Sequence, residues 1–195
     1  MTDFIGTAGN DPLAGGRDDD NIRGLAGDDS LSGHGGNDVL IGGNTVNDQP
    51  DGDIAAAAGD DGNDSLNGGR GGDGLFGQAG DDTLIGGDGG DGLAGGDGND
   101  RLYGGRGNDW LAGGGGADSF LFFGRRIGSD VVTDFAPGED LIHIRGGGID
   151  GIDDLTFTDT GAGVVITWLV KGIEQSVRLD GVAAAELSAG DFLFA

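Results

Sequence analysis

The chain has 195 residues, 48 of them glycine and none cysteine, and 35 carboxylates against ten lysines and arginines leave a formal charge of -25. A surface of that sign repels nucleic acid and anionic lipid, and a chain so glycine-rich and self-repelling collapses poorly alone, so the missing counter-charge is a cation. With only His34 and His143 as imidazoles, zinc and softer metals lack their usual ligands, whereas carboxylate and backbone carbonyl oxygens suit calcium.

The N-terminus, MTDFIGTAGND, carries no basic region followed by an apolar run, and no stretch reaches membrane-spanning length, so any export signal lies elsewhere. Met1 followed almost at once by repeats reads as a stand-alone product. The lack of cysteine fits an exported and a cytosolic protein equally. From Gly6 a nine-residue unit recurs eleven times, with glycine first, aspartate sixth and a large apolar residue eighth. One run starts at Gly6, Gly15, Gly24 and Gly33, the other at Gly59, Gly68, Gly77, Gly86, Gly95, Gly104 and Gly113. The eighth residues run from Leu13 and Ile22 to Leu111 and Phe120.

Within each unit the first six residues carry glycines that permit left-handed backbone angles, and the last three form a short extended segment with one inward side chain. Two units then close one eighteen-residue coil of an all-β, parallel β-solenoid with an internal leucine ladder. Residues 42–58 break the phase. They read either as a degraded coil with one deletion or as a loop between two separate rolls. After Ser119 the period gives way to alternating strands at 131–135, 141–144, 155–158, 164–170 and 176–180, read as a C-terminal β cap over the open end of the ladder. The expected division is 1–58, N-terminal repeats with the irregular segment; 59–118, the main roll; and 119–195, the cap and secretion-signal region.

Aspartates eighteen apart fall on one edge of successive coils, roughly 4.7–4.9 Å apart, where bare carboxylates repel one another. A calcium ion between two turns takes a carboxylate from each and completes its shell with glycine-loop carbonyls. One edge carries Asp64, Asp82, Asp100 and Asp118, the other Asp73, Asp91 and Asp109, and the first block pairs Asp11 with Asp29 and Asp20 with Asp38. Such pairs give about seven calcium sites. Asp130, Asp134 and Asp140 in the tail read as surface or turn carboxylates.

The units GGDGNDRLY (95–103) and GGRGNDWLA (104–112) resemble the GGxGxDxLx nonapeptide of the RTX (repeats-in-toxin) family. The tail, GGGGADSFLF followed by GSDVVTDFAPGEDLI, is similar to the region that closes the roll in serralysin-type proteases. The resemblance implies a right-handed parallel β-roll, a secreted extracellular protein and export by a type I secretion apparatus through an uncleaved C-terminal signal. It also implies that carbonyls at the second and fourth positions join the aspartates as calcium ligands: Gly69, Gly71, Gly87, Gly89, Gly96, Gly98, Gly105, Gly107, Gly114 and Gly116. The first block departs from the motif at Thr7, Asp18, Leu25 and His34.

Enzyme signatures are missing: no HExxH of the serralysin protease domain and no GxSxG of an RTX lipase. The reading is therefore a non-enzymatic, secreted module that folds on extracellular calcium. The alternative is an accessory or polysaccharide-binding module of a secreted enzyme such as an alginate epimerase or RTX hydrolase. Outward positions seven and nine place Thr83, Ile85, Arg101 and Tyr103 on one face and Phe76, Trp110 and Ala112 on the other; these read as scattered surface or a docking face, with a polysaccharide strip or cell-surface partner as the sharper reading.

Overall fold

The computed structural model of the chain describes residues 2–25, 27, 29–42, 62–124, 127–146 and 148–194. The first repeat block supplies strands β1 (Asp3–Ile5), β2 (Pro12–Ala14), β3 (Asn21–Arg23), β4 (Ser30–Gly35) and β5 (Val39–Ile41). The second supplies β6 (Ser65–Arg70), β7 (Gly74–Ala79), β8 (Thr83–Asp88), β9 (Gly92–Asp97), β10 (Arg101–Arg106) and β11 (Trp110–Gly115). The rest forms β12 (Ser119–Phe123), β13 (Ser129–Val132), β14 (Leu141–Arg145), β15 (Thr156–Asp159), β16 (Gly163–Val170), β17 (Ile173–Asp180) and β18 (Phe192–Phe194). Odd-numbered strands up to β13 pair in parallel as one sheet and even-numbered strands as the other, so the chain alternates between two walls and advances one strand spacing per coil.

The inward positions follow from the period. Along each repeat the sixth, eighth and following first residues point inside, as Asp64, Leu66 and Gly68 do, while their neighbours face out. Leu66, Leu75, Leu84 and Leu102 have no exposed surface, and the ladder extends from Ile22 to Phe120 and into the cap. Burying each such side chain contributes about 1.5–3 kcal/mol. The strands of the second block are six residues long rather than the three expected. Pairing continues through the first glycines of the next unit, as in Gly69 with Gly87 and Arg70 with Asp88.

The two blocks share one ladder. Leu31 pairs with Leu66 and Leu40 with Leu75, an offset of 35 residues in place of 18. The extra residues fall in the sequence between Gly42 and Asp64, which themselves keep the geometry of a repeat turn: a Cβ on Gly42 would strike the Asp64 carboxylate, as one on Gly33 would strike that of Asp38. Beyond Gly42, the readings of 42–58 as coil or loop lie outside the described residues.

The cap extends both walls before closing them. Strand β13 pairs with β11 and β14 with β12, still in parallel; β17, β16 and β15 then finish one wall, the last two pairings antiparallel, and β18 finishes the other. The strand expected at 131–135 ends at Val132, and Phe135 turns inward against Phe120 with ring centroids 6.1 Å apart. Phe122 meets Trp168 edge-on at 6.1 Å. The leucine ladder thus ends in an aromatic plug.

Three residues that replace the second glycine, Leu25, His34 and Gln78, have φ of 85°, 75° and 87°, in the region that glycine enters freely. The coil geometry imposes this conformation on whatever residue stands there. Replacing Gln78 by glycine should therefore raise stability by about 1 kcal/mol, the relief of left-handed strain less the added chain entropy of glycine. A denaturant midpoint for Gln78→Gly equal to or below that of the parent chain would contradict this account.

Candidate metal centre

Each sixth-position aspartate immediately precedes a strand, and its backbone N–H points along the solenoid axis. The acceptor it finds is the carboxylate of the aspartate one coil later. The N–H of Asp64 donates to Oδ1 of Asp82 at 2.7 Å, that of Asp82 to Asp100 at 2.8 Å, and that of Asp100 to Asp118 at 2.9 Å. In the other column, Asp73 donates to Asp91 and Asp91 to Asp109, both at 2.9 Å. Asp29 reaches Asp64 and Asp38 reaches Asp73 across the insertion, at 2.6 and 2.7 Å. Asp11 with Asp29 and Asp20 with Asp38 complete the two columns. The carboxylates expected to line two edges are instead packed inside them: from Asp20 to Asp118 none is more than 4% exposed.

The second carboxylate oxygen is the unusual atom. Oδ2 of Asp38, Asp73, Asp91, Asp100, Asp109 and Asp118 is buried and accepts no hydrogen bond. An ionised carboxylate held in this way is costly unless positive charge meets it. The first glycine of each unit makes the arrangement possible. A Cβ on Gly95 would collide with Oδ2 of Asp100 and lie 2.7 Å from the carbonyl oxygen of Gly113 on the next coil, so the space of a missing side chain brings two acceptor oxygens together.

The glycine carbonyls also form columns. Those of Gly69, Gly87 and Gly96 lie against the α-carbons of Gly87, Gly105 and Gly114 one coil on, and those of Gly71, Gly89 and Gly98 against Gly89, Gly107 and Gly116, where any Cβ would overlap the oxygen. Of the ten glycines expected as ligands, all but Gly89 have positive φ. Among the described residues no three His, Cys, Asp or Glu side chains converge. A cation here must draw on backbone oxygens as well as carboxylates, which is the oxygen-rich, flexible shell that calcium accepts. The unsatisfied Oδ2 atoms and the adjoining carbonyls fit such an ion.

Asp130 and Asp140, taken from the sequence as surface or turn residues, are 3% exposed and continue the columns. Asp109 donates to Oδ1 of Asp130 at 3.0 Å and Asp118 to Oδ1 of Asp140 at 2.9 Å, at offsets of 21 and 22 residues. The extra residues broke the nonapeptide phase and concealed them. A local signal survives: Asp130-Val131-Val132 and Asp140-Leu141-Ile142 keep the aspartate, any residue, apolar residue order of Asp109-Trp110-Leu111. Asp134 is exposed, and its carboxylate accepts the N–H groups of Gly113 and Gly114, both at 3.0 Å, closing the end of the last repeat coil.

Burial holds the interior carboxyls well above their ordinary 3.8: Asp73, Asp91 and Asp109 rise to about 6, Asp100 to about 7 and Asp130 to about 8. Such groups bind protons more tightly in the folded roll than in the unfolded chain. The metal-free roll is therefore most stable at low pH and loses stability as pH rises from about 4 through about 6–8. In chelator, acidification from pH 8 to pH 5 should increase β structure by circular dichroism. A calcium titration over the same range should show weaker apparent affinity at pH 5, because protons compete for the same oxygens.

A family model described as RTX calcium-binding nonapeptide repeat (4 copies) matches residues 5–40, 58–93 and 85–120, together just over half of the chain. Mannuronan C5-epimerase AlgE5 of Azotobacter vinelandii is 38% identical over 90 residues, 40% of this chain and 9% of the epimerase. Among solved structures, the extracellular lipase LipA from Serratia marcescens aligns at 23% identity over 99% of this chain and 40% of the lipase, with a TM-score of 0.41. The AlgE6R3 subunit of the Azotobacter vinelandii mannuronan C5-epimerase aligns at 22% identity over 97% of this chain and 81% of the subunit, with a TM-score of 0.27. The nonapeptide match over more than half the sequence identifies the chain as a member of the RTX calcium-binding nonapeptide repeat family, whose repeats bind calcium.

Proposed function

We propose that this chain is a non-catalytic, secreted calcium module that stays unfolded until it meets extracellular calcium and then closes into the β-roll. The observation that carries this reading is the set of buried carboxylates in the two columns, Asp38, Asp73, Asp91, Asp100, Asp109 and Asp118, whose Oδ2 atoms accept no hydrogen bond, in a protein of formal charge -25. Burying those charges disfavours the metal-free roll, and ligand binding to the folded form alone shifts the equilibrium toward it. The ligands are the stacked aspartates of the ladder interior with the carbonyls of the second and fourth glycines. Because the columns also join across the insertion, the expected load is about seven to nine ions. Sites of extracellular affinity, with dissociation constants near 10⁻⁴–10⁻³ M, would leave the chain open at cytosolic calcium and filled outside. An open chain suits passage through a type I secretion channel, with residues 119–195 carrying the export signal as well as the cap.

A second reading rests on the outer face of the even-numbered sheet. His34, Arg70, Tyr103 and Arg106 border a groove of about 540 Å³ there, with Arg106 ion-paired to Asp88 at 3.3 Å. Together with the stretch similar to a mannuronan epimerase, this favours an accessory module that holds an acidic polysaccharide for a secreted enzyme. Calorimetry with mannuronan oligomers and calcium tests it, and a lack of heat with the calcium-loaded chain would remove it.

The primary reading is tested by far-UV circular dichroism and hydrodynamic radius in chelator and in millimolar calcium. The expected outcome is an expanded, disordered chain that becomes compact and β-rich on adding calcium; a compact β spectrum persisting in chelator at neutral pH would overturn it. Asp100→Ala, interior to a column, should weaken calcium binding and its cooperativity more than Asp11→Ala at the N-terminal end, because an interior carboxylate faces a coil on both sides.

A further inference from the structure

The turns are not all alike. In those of Asp38, Asp73, Asp91, Asp100, Asp109 and Asp118, the second residue of the unit (His34, Gly69, Gly87, Gly96, Gly105 and Gly114) has positive φ. Each of those six carboxylates has a buried Oδ2 that accepts no hydrogen bond. Three other turns behave differently. The N–H of Thr7 donates to Oδ2 of Asp11 at 2.5 Å, that of Gly16 to Oδ2 of Asp20 at 2.7 Å, and that of Ala136 to Oδ2 of Asp140 at 2.8 Å, each from four residues before the aspartate. None of these three donors is among the residues with positive φ. Leu25 shows where the N–H goes when the second residue turns left-handed: it crosses to the carbonyl of Gly42 on the next coil, at 3.0 Å.

The second N–H therefore goes either to its own aspartate or forward to the segment that follows, as those of Leu25 and Gly114 go to the Gly42 carbonyl and the Asp134 carboxylate, and the choice decides the state of the carboxylate. Given to its own aspartate, it supplies locally the partial positive charge that Oδ2 needs. Given to the next coil, it leaves Oδ2 open toward the carbonyl oxygens beside it. The self-satisfied turns lie at the first coil and in the cap, and the open ones between them.

We propose that the conformation of the second residue sorts the turns into cation sites and hydrogen-bonded end turns: those with a left-handed second residue hold calcium through Oδ2, and those of Asp11, Asp20 and Asp140 hold none. This rests on the calcium-module reading above and narrows it, because Asp11 and Asp20 carry the same nonapeptide aspartate as the interior turns. The N-terminal ends of both columns and the Asp140 end of one are closed by the chain's own N–H groups, which ends the run of charges there without an ion.

The test is a count of bound ions by equilibrium dialysis with radioactive calcium at saturation, on the full chain and on Asp11→Asn/Asp20→Asn, Asp140→Asn and Asp91→Asn/Asp109→Asn variants. Circular dichroism in calcium verifies that each is folded, and Asp91→Asn alone replaces the double interior variant if that one is not. The Asp11/Asp20 and Asp140 variants should bind as many ions as the parent. The interior variant should lose at least one ion and need about tenfold more calcium for half-saturation, since ligand charge sets affinity in such sites. Loss of ions from the Asp11/Asp20 or Asp140 variants to the same extent as from the interior variant overturns the sorting while leaving the calcium-module reading intact. Full retention by the interior variant also overturns the sorting. A parent chain that binds no calcium overturns both.

Discussion

The hydrogen bond from the N–H of one aspartate to Oδ1 of the aspartate a coil later is the contact on which the rest of this structure depends. It fixes the rise between coils, places each leucine over the previous one, and turns the carboxylates inward. The apolar ladder alone would allow neighbouring coils to slide by two residues, since alternation repeats at that interval. A buried donor that finds its acceptor at one position only removes that freedom. The same contact uses one oxygen of each carboxylate, and at Asp38, Asp73, Asp91, Asp100, Asp109 and Asp118 the other oxygen is buried and accepts no hydrogen bond.

The direction of this contact gives the solenoid polarity. Every coil completes the one before it, so the last repeat coil needs a follower that is not a repeat. Asp130 and Asp140 accept the N–H groups of Asp109 and Asp118, and Asp134 reaches those of Gly113 and Gly114. Aromatic side chains take over where the leucines stop, with Trp168 and Phe135 meeting Phe122 and Phe120. The cap is therefore continuous with the roll in its hydrogen bonding and in its core.

The periodic part of this architecture was legible in the sequence, because a residue that must face inward every nine positions leaves a mark no other constraint erases. Leu66, Leu84 and Leu102 stack as the spacing implied, and the aspartates fall in two columns. What escaped notice is whatever is periodic in space but not along the chain. Asp130 and Asp140 were hidden by a few extra residues, and the junction of Leu31 with Leu66 by a longer stretch of added sequence. Strand length was underestimated because glycine reads as turn, although here Gly69 and Gly87 pair within strands. That Leu25, His34 and Gln78 adopt a glycine conformation is a tertiary demand that their side chains do not announce.

Between Gly42 and Asp64 the sequence is longer than a repeat interval, yet Leu31 meets Leu66 and Leu40 meets Leu75 in the same register as the coils on either side. Chain length between two rungs is then a free variable, provided the glycine before the gap and the aspartate after it remain. A fold with that property can acquire cargo: a loop, a recognition segment or a whole folded insert placed at a turn alters what the surface displays without disturbing the count of rungs beneath it.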